Sequence, residues 1–200
     1  MKVRMIDCVG YIVPSALGYI EGEMPRMVKT PWFDEEIPFN MAAEIGTQKV
    51  IAEHSTIGLV ITTDGSISGI PRDEYAEAEK RVIDELQALN KPFIVLLNSK
   101  DPASADTSRL ADELTESYGV PVIPVNCLEL TQNEISDILS KILFEFPVKE
   151  IKIDLPSWIT SLKKDHWLRS DIFKKISTLA ENLKRVRDIN GFANNVSENE

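Results

Sequence analysis

Short runs of consecutive apolar residues alternate along this chain with longer segments in which apolar residues recur every three or four positions. The continuous runs lie near 57–63, 93–98 and 121–126, and a short extended segment near 2–7 ends at an acid. Such runs are typical of strands that are buried on both faces of a parallel sheet. We therefore predict four neighbouring strands in a mainly parallel sheet.

The segments between these runs have the periodicity of amphipathic helices. They predict helices over 41–52, from about Pro71 to Leu89, over 106–118 and from Thr131 onward. Thr131 and Glu134 have the spacing of a capping box. Residues 14–40 carry four prolines and predict a long irregular segment. Because strands and helices alternate, the predicted fold class is α/β.

The charge of the chain changes near Phe146-Pro147. Residues 1–146 carry net −12, whereas residues 147–200 carry net +2. Proline disfavours helical geometry in the residue before it, so the preceding helix should end there. We predict a domain boundary at this point, with a first domain over 1–147 and the beginning of a second over 148–200. In the second part, the pattern over Val148–Asp154 predicts a half-buried strand, and that over 168–189 predicts one long helix with Gly191 as its end.

The overall net charge of −10 limits the classes of partner. Broad binding to nucleic acid or to an anionic membrane needs a basic surface, so we expect no nucleic-acid partner. No apolar run approaches the ~20 residues that cross a bilayer, so we expect no transmembrane segment.

The first apolar run leads into Asp7-Cys8-Val9-Gly10, which has the form Asp-x-x-Gly. In P-loop nucleotide hydrolases an acid at this place holds Mg²⁺, and the glycine amide reaches the γ-phosphate because no Cβ intervenes. Asp7 and Gly10 are therefore candidate catalytic residues, and Asp7 is the candidate metal ligand. The alternative interpretation is a plain junction between a strand and a turn.

Polar residues also follow the later strands. Asn98-Ser99-Lys100-Asp101 stands where a GTPase-type hydrolase has its base-reading Asn-Lys-x-Asp, although the second position is serine. An aspartate there can accept both N–H groups of a guanine edge. Asn98, Asp101 and Asn126, the last at the end of the next strand, are candidate nucleotide-binding residues. The alternative is a set of polar turns.

One part of such a hydrolase does not occur in the sequence. No G-x-x-x-x-G-K-[ST] segment is present in the 200 residues, so nothing here can wrap the β- and γ-phosphates. If the fold is of the P-loop type, its first strand, phosphate loop and first helix are expected upstream of Met1.

Several longer blocks are distinctive: VRMIDCVGY at 3–11, PRMVKTPWFD at 25–34, IAEHSTIGLV at 51–60, TTDGS at 62–66 and DHWL at 165–168. Together they resemble the stage IV sporulation protein A family, the spore-coat morphogenetic ATPases of endospore-forming bacteria. The resemblance covers essentially the whole chain. It implies a P-loop NTPase-like domain of the GTPase type, N-terminally truncated and followed by the start of a middle domain.

The resemblance carries further expectations. Asp7 matches the family's Walker B acid, at the strand where this chain would begin, and Gly10 matches its switch glycine. The implied cofactors are ATP and Mg²⁺, and the implied activity is ATP hydrolysis, although a chain without the phosphate loop is expected to be inactive alone. Hydrolysis would drive polymerisation of the basement layer of the spore coat around the forespore.

The implied partners are further copies of the same protein and the proteins that anchor the coat to the forespore membrane. The implied location is the mother-cell cytoplasm, at the outer forespore membrane and spore coat. Two other interpretations stay open. The chain is alternatively a non-catalytic assembly or scaffold module, or a GTP-binding relative, since Asn98 and Asp101 stay in register with the base-reading motif.

Overall fold

The computed structural model describes residues 3–189. By its internal contacts the chain divides into two compact units, Met1–Ile142 and Leu143–Glu200. The first contains seven strands within the described residues: β1 (Ile20–Glu21), β2 (Met24–Pro25), β3 (Met27–Thr30), β4 (Phe33–Pro38), β5 (Gly58–Thr63), β6 (Phe93–Asn98) and β7 (Val122–Val125). Its helices are α1 (Phe39–Lys49), continued by a π-helical turn (Val50–His54), then α2 (Arg72–Ala88), α3 (Ala105–Tyr118) and α4 (Gln132–Phe144).

The centre of the first unit is a three-stranded parallel sheet in the order β5-β6-β7. The central strand is the most deeply buried, and Phe93–Leu97 are each at most 2% exposed. Side chains from α2 (Ile83, Leu86) and α3 (Ala111) belong to the same buried cluster as Phe93, Val95 and Leu97. Each fully buried side chain of this size stabilises the fold by about 1.5–3 kcal/mol. The α/β prediction is confirmed.

The helix ends follow the expected chemistry. Pro71 is the N-cap of α2, and Ser104 caps α3 by accepting a hydrogen bond from the backbone N–H of Thr107 at 3.1 Å. At the start of α4, the Glu134 carboxylate accepts from the backbone N–H of Thr131 at 2.8 Å, and the Thr131 hydroxyl accepts from the Glu134 N–H. The predicted capping box is therefore present.

The predicted first strand does not form. Within the described residues 3–7 there is no strand, and Val3 and Met5 are 47% and 84% exposed. An extended segment becomes a strand only when a neighbour supplies ladder hydrogen bonds. Among residues 3–189 β5 pairs with β6 alone, so residues 3–7 have no such neighbour.

The segment 14–40, predicted to be irregular, contains two antiparallel hairpins. β1 pairs with β2, and β3 pairs with β4 with Met27 opposite Pro38. The prolines fit this arrangement because Pro25 and Pro38 are the last residues of their strands, where a missing N–H removes little pairing. Because proline within a run argues against a strand, the sequence pattern did not predict these hairpins.

The described part of the second unit contains two helices, α5 (Ser157–Ser161) and α6 (Trp167–Asn182). The strand predicted over Val148–Asp154 is not formed, and an isolated bridge joins Pro147 to Arg185 instead. Beside this bridge the carboxylate of Glu145, 2% exposed, accepts hydrogen bonds from Arg185 and Arg187. Two guanidinium groups thereby compensate one buried negative charge.

The last helix is shorter than predicted. The expectation was 168–189, with Gly191, which lies outside the described residues, as its end. The structure ends α6 at Asn182 because the next backbone groups have other partners. The Asp188 carboxylate accepts hydrogen bonds from the N–H groups of Lys184 and Arg185, at 3.0 and 2.7 Å.

Candidate functional site

The carboxyl ends of the three parallel strands bring polar residues to one edge of the sheet. Asp64 follows β5, Asn98 ends β6 and Asn126 follows β7. Asn98 connects all three strand ends: its backbone oxygen accepts from the N–H of Asp64 at 3.3 Å, and its Oδ1 accepts from the N–H of Cys127 at 3.0 Å. Ligands of open α/β sheets bind at this edge.

The loop 98–101 is held through its backbone. The N–H of Lys100 donates to Ser66 Oγ at 3.0 Å, and the N–H of Asp101 donates to Ser99 Oγ at 3.1 Å. Ser99, which stands where the GTPase motif has lysine, is 1% exposed and points into the protein. The Asp101 carboxylate is exposed and has no hydrogen bond or ion pair within residues 3–189. It is therefore accessible to a ligand.

Asp64 lies behind this loop, and its carboxylate accepts hydrogen bonds from several donors. Its carboxylate accepts from the Ser66 N–H at 2.9 Å, from the Ser66 hydroxyl at 2.6 Å and from the Thr107 hydroxyl at 3.1 Å. Desolvation by burial alone would raise the pKa of Asp64. Hydrogen bonds from Ser66, Ser99 and Thr107 outweigh it and hold the pKa below the ordinary value.

Asn126 uses its side chain to shape its own turn. Its Oδ1 accepts from the N–H of Leu128 at 3.1 Å, and its Nδ2 donates to Glu129 Oε2 at 3.2 Å. It lies at the same sheet edge as Asn98, so the structure brings the two residues to one region. A direct contact with a nucleotide stays a prediction.

Asp7 and Gly10 lie in a different setting. Asp7 lines a cavity of 440 Å³ between the second hairpin and α1, together with Lys29, Trp32, Phe39 and Lys49 among others. The Gly10 backbone has a φ of 81°, a conformation that favours glycine, and its N–H donates to Thr47 Oγ1 at 3.0 Å. Neither Asn98, Asp101 nor Asn126 lines this cavity. The structure thus does not bring the two groups of candidates into contact.

The donor set of Asp7 limits the metal that it can hold. Within the described residues there is no group of three His, Cys, Asp or Glu side chains that could form a metal site. Mg²⁺ needs only one or two carboxylates when substrate phosphates complete its shell. The exposed Asp7 carboxylate has no hydrogen bond or ion pair within residues 3–189 and fits that role.

Sequence reasoning missed the hydroxyl groups around Asp64. Ser66 and Thr107 donate to one carboxylate, although Asp64 and Thr107 are 43 positions apart in the sequence, and Ser99 lies 3.3 Å from the Thr107 oxygen. A local signal was present, because Asp-Gly-Ser after a strand is typical of a turn in which the aspartate accepts from the amide two residues on. The contact with α3 had no counterpart in the local pattern.

A three-stranded parallel sheet with flanking helices and polar loops at its carboxyl edge is consistent with a P-loop NTPase-like domain. Comparison with family models gives the same class. The model of the stage IV sporulation protein A ATPase domain matches residues 1–147, and the model of the middle domain of that protein matches residues 148–200. The chain belongs to the stage IV sporulation protein A family.

Curated relatives agree. The chain is 48% identical to stage IV sporulation protein A of Clostridioides difficile strain 630 over 198 residues, which are 99% of the chain. It is 48% identical to the Bacillus anthracis protein over 189 residues, or 94% of the chain. It is 46% identical to the Bacillus subtilis strain 168 protein over 198 residues, or 99% of the chain. The aligned regions span 38–40% of the length of these relatives. In the described part of the chain, no helix is long and apolar enough to cross a membrane.

Proposed function

We propose that the protein to which this chain belongs binds ATP and hydrolyses it, and that hydrolysis drives polymerisation of the spore-coat basement layer around the forespore. The observation that carries this proposal is the match of residues 1–147 to an ATPase-domain family of a sporulation protein. The accessible Asp7 and Asp101 carboxylates support it, because each is available to a ligand.

In this proposal the candidate residues have separate roles. Asp7 would hold Mg²⁺, whose charge would offset that of the phosphates. The Gly10 N–H donates to Thr47 Oγ1 in this structure and would leave that oxygen to reach the γ-phosphate. Asn98 holds the sheet-edge loops together through its bonds to Asp64 and Cys127. Asp101 faces the base, and Asn126 shapes the neighbouring turn.

A GTP-binding relative is the second candidate, and one observation favours it. The Asp101 carboxylate is exposed and keeps both oxygens available. Guanine presents two N–H groups that such a carboxylate can accept together, whereas adenine does not offer them in that arrangement. The identity of the preferred nucleotide is therefore part of the test below.

We further propose that residues 1–147 belong to the nucleotide-binding domain and residues 148–200 to the beginning of the middle domain. Its partners would be other copies of the same protein and the anchoring proteins of the coat, in the mother-cell cytoplasm. The 200 residues contain no phosphate loop, so this polypeptide alone should bind ATP weakly and should not hydrolyse it.

The test is calorimetric titration of Mg²⁺-ATP and Mg²⁺-GTP into residues 1–200 and into the full-length protein, with hydrolysis rates for the latter. We expect tight binding and hydrolysis only by the full-length protein, and weak binding without hydrolysis by residues 1–200. Asp7→Ala in that protein should lower the hydrolysis rate by about 100-fold. The matched control is Asp112→Ala, because Asp112 is an exposed acid on α3.

Two results would contradict the proposal. Unchanged hydrolysis after Asp7→Ala would remove Asp7 from the catalytic site. Failure of the full-length protein to bind either nucleotide would leave the scaffold interpretation. A filament assay by sedimentation, with and without ATP, then separates assembly driven by hydrolysis from assembly that needs no nucleotide.

A further inference from the structure

The carboxylate of Asp64 is connected to the loop 98–101 by a continuous set of hydroxyl groups, which we call the Asp64 network: Asp64, Ser66, Ser99, Ser104 and Thr107. We infer that Asp64 is a positioning residue that sets the direction of the Asp101 carboxylate and thereby the choice between purine nucleotides. This inference rests on the proposed function, since it concerns how the same site selects its base.

The first branch of the network runs through Ser66. The Ser66 hydroxyl donates its only hydrogen to Asp64 Oδ1 at 2.6 Å, and the Ser66 N–H donates to the same oxygen at 2.9 Å. The lone pairs of Ser66 Oγ are left to accept, and the N–H of Lys100 donates to that oxygen at 3.0 Å. The carboxylate thus orients the hydroxyl so that it receives the amide of the loop.

The second branch runs through Thr107 on α3. The Thr107 hydroxyl donates to Asp64 Oδ2 at 3.1 Å, so its oxygen is left to accept from the Ser104 hydroxyl at 2.8 Å. Because the Thr107 hydrogen is donated to Asp64, the Ser99 hydroxyl donates its own hydrogen to the Thr107 oxygen at 3.3 Å. Ser99 Oγ therefore accepts the N–H of Asp101 at 3.1 Å.

Both branches end on consecutive backbone amides, those of Lys100 and Asp101. Within residues 3–189 no hydrogen bond or ion pair holds the Asp101 side chain itself, so the loop backbone sets the position and direction of the Cα–Cβ bond from which its carboxylate reaches a ligand. The network needs an acceptor-only group at its centre, because hydroxyl hydrogens from two sides converge there. An asparagine at position 64 would present N–H groups to some of these donors and disrupt one branch.

The consequence concerns base selection. A carboxylate that accepts two N–H groups of a base requires a defined direction, and a loop with released amides samples several directions. Loss of the network should therefore weaken binding of the preferred nucleotide more than binding of the other one. Phosphoryl transfer should be unchanged, because Asp101 does not contact the phosphates. The expected signature is a change in KM without a change in kcat.

The experiment uses the full-length protein and compares Asp64→Asn, Ser66→Ala and Thr107→Val with the wild type. The matched control is Asp106→Asn, which removes an exposed acid of α3 that pairs with Arg109 at 2.8 Å and lies outside the network. Two readouts are measured: hydrogen exchange of the Lys100 and Asp101 amides, and the KM and kcat for Mg²⁺-ATP and Mg²⁺-GTP. Circular dichroism checks that each variant is folded.

We expect Asp64→Asn to accelerate exchange at both amides. It should also reduce the ratio of the KM for the less preferred nucleotide to the KM for the preferred one by about tenfold, with kcat unchanged, because a lost hydrogen bond of this kind changes affinity by about that factor. Ser66→Ala should accelerate exchange at Lys100 and leave Asp101 protected, whereas Thr107→Val should act chiefly on Asp101. Asp106→Asn should change neither readout.

The outcomes separate this inference from the proposed function. Faster exchange with an unchanged KM ratio overturns the role in base selection, and unchanged exchange in Asp64→Asn overturns the positioning role itself. A fall in kcat alone also overturns it. If the wild type binds neither nucleotide, the proposed function fails together with base selection, and the exchange of the two amides still tests whether Asp64 holds the loop.

Discussion

Two tyrosines donate their phenol hydrogens to partly or fully buried carboxylates. Tyr118 donates to Glu79 Oε1 at 2.5 Å, where Arg72 also donates at 2.7 Å, and Tyr11 donates to Glu85. Burial is the largest cause that raises the pKa of each phenol, and the bond to a carboxylate and its negative charge raise it further. Both residues are therefore held in the neutral form by the fold.

These shifts predict a loss of stability in alkali. Each folded-state pKa lies above the ordinary value of 10.0, so the unfolded chain releases its protons first as the pH rises. The stabilisation is complete below pH 10 and decreases above it, by at most about 1.4 kcal/mol per pH unit for each tyrosine. We expect the free energy of unfolding in urea to fall steadily between about pH 10 and pH 12.

The assay compares the wild type with Tyr118→Phe and Tyr11→Phe, each of which should have a shallower pH dependence above pH 10. The control is Tyr19→Phe, since Tyr19 donates to the backbone oxygen of Pro14 and has no carboxylate partner among the described residues. Equal slopes in all four proteins would show that these phenols do not control alkaline unfolding.

At the scale of single residues, the sequence predicted candidate residues at strand ends, and the structure places Asn98 and Asn126 at the carboxyl edge of the sheet. Their contact with a nucleotide stays a prediction. Asn98 and Asp101 were predicted because they follow a continuous apolar run, and strand ends are local features. The bond between Ser66 and Lys100 joins residues 34 positions apart and depends on how two loops meet. A local sequence pattern does not show which loops contact each other in the fold.

Secondary-structure elements were predicted best where their signal was local. β5, β6 and β7 lie within one or two residues of the predicted runs, and the capping box marks the start of α4. The predicted strand before Asp7 was wrong because strand formation depends on a partner. The two hairpins in 14–40 were missed for the same reason, since pairing between β3 and β4 is a relation between two segments.

The end of α3 permits a direct test of helix termination. Gly119 has a φ of 65° at the C-cap, a left-handed conformation that costs an L-residue with a Cβ about 1 kcal/mol. No atom lies within 4 Å of a Cβ built there, so the cost of a substitution comes from the backbone conformation rather than from a steric clash. Gly119→Ala should lower the free energy of unfolding by about 1 kcal/mol.

Gly119→Asn should lower it less, because asparagine tolerates the left-handed region. Ser117→Ala, at an exposed position two residues earlier in the same helix, is the control and should be neutral or slightly stabilising. Urea unfolding followed by circular dichroism measures all three. Equal stability of Gly119→Ala and the wild type would mean that the helix ends in another way in solution.

At the scale of the whole molecule, the chain contains an exposed stretch between helices. Residues 149–156 have no helix or strand, and Lys149 and Lys152 are exposed. Proteolysis prefers such segments because the backbone must extend into the protease. We expect brief trypsin treatment to cut after Lys149 or Lys152 well before it cuts after Lys80 or any other cationic residue inside α2 and α3.

Mass spectrometry of the early products identifies the cut. Replacing both lysines by glutamine should delay the release of the first fragment without changing the melting temperature. A first cut within α2 or α3 would contradict the prediction. Persistence of the large fragment would support our proposal of a domain boundary near residue 147, which the composition of the chain suggested through its change of charge.

The order of the parallel strands has a consequence for synthesis of the protein on the ribosome. The sheet order β5-β6-β7 is also the order in which the strands emerge, and the pairing of Gly58 with Phe93 and of Val95 with Val122 joins each strand to the one made just before it. Each new strand can therefore pair with a strand that has already been synthesised. Domains generally fold in this direction during synthesis. The sheet can thus assemble vectorially, with the outer edge of β6 unpaired until β7 is made.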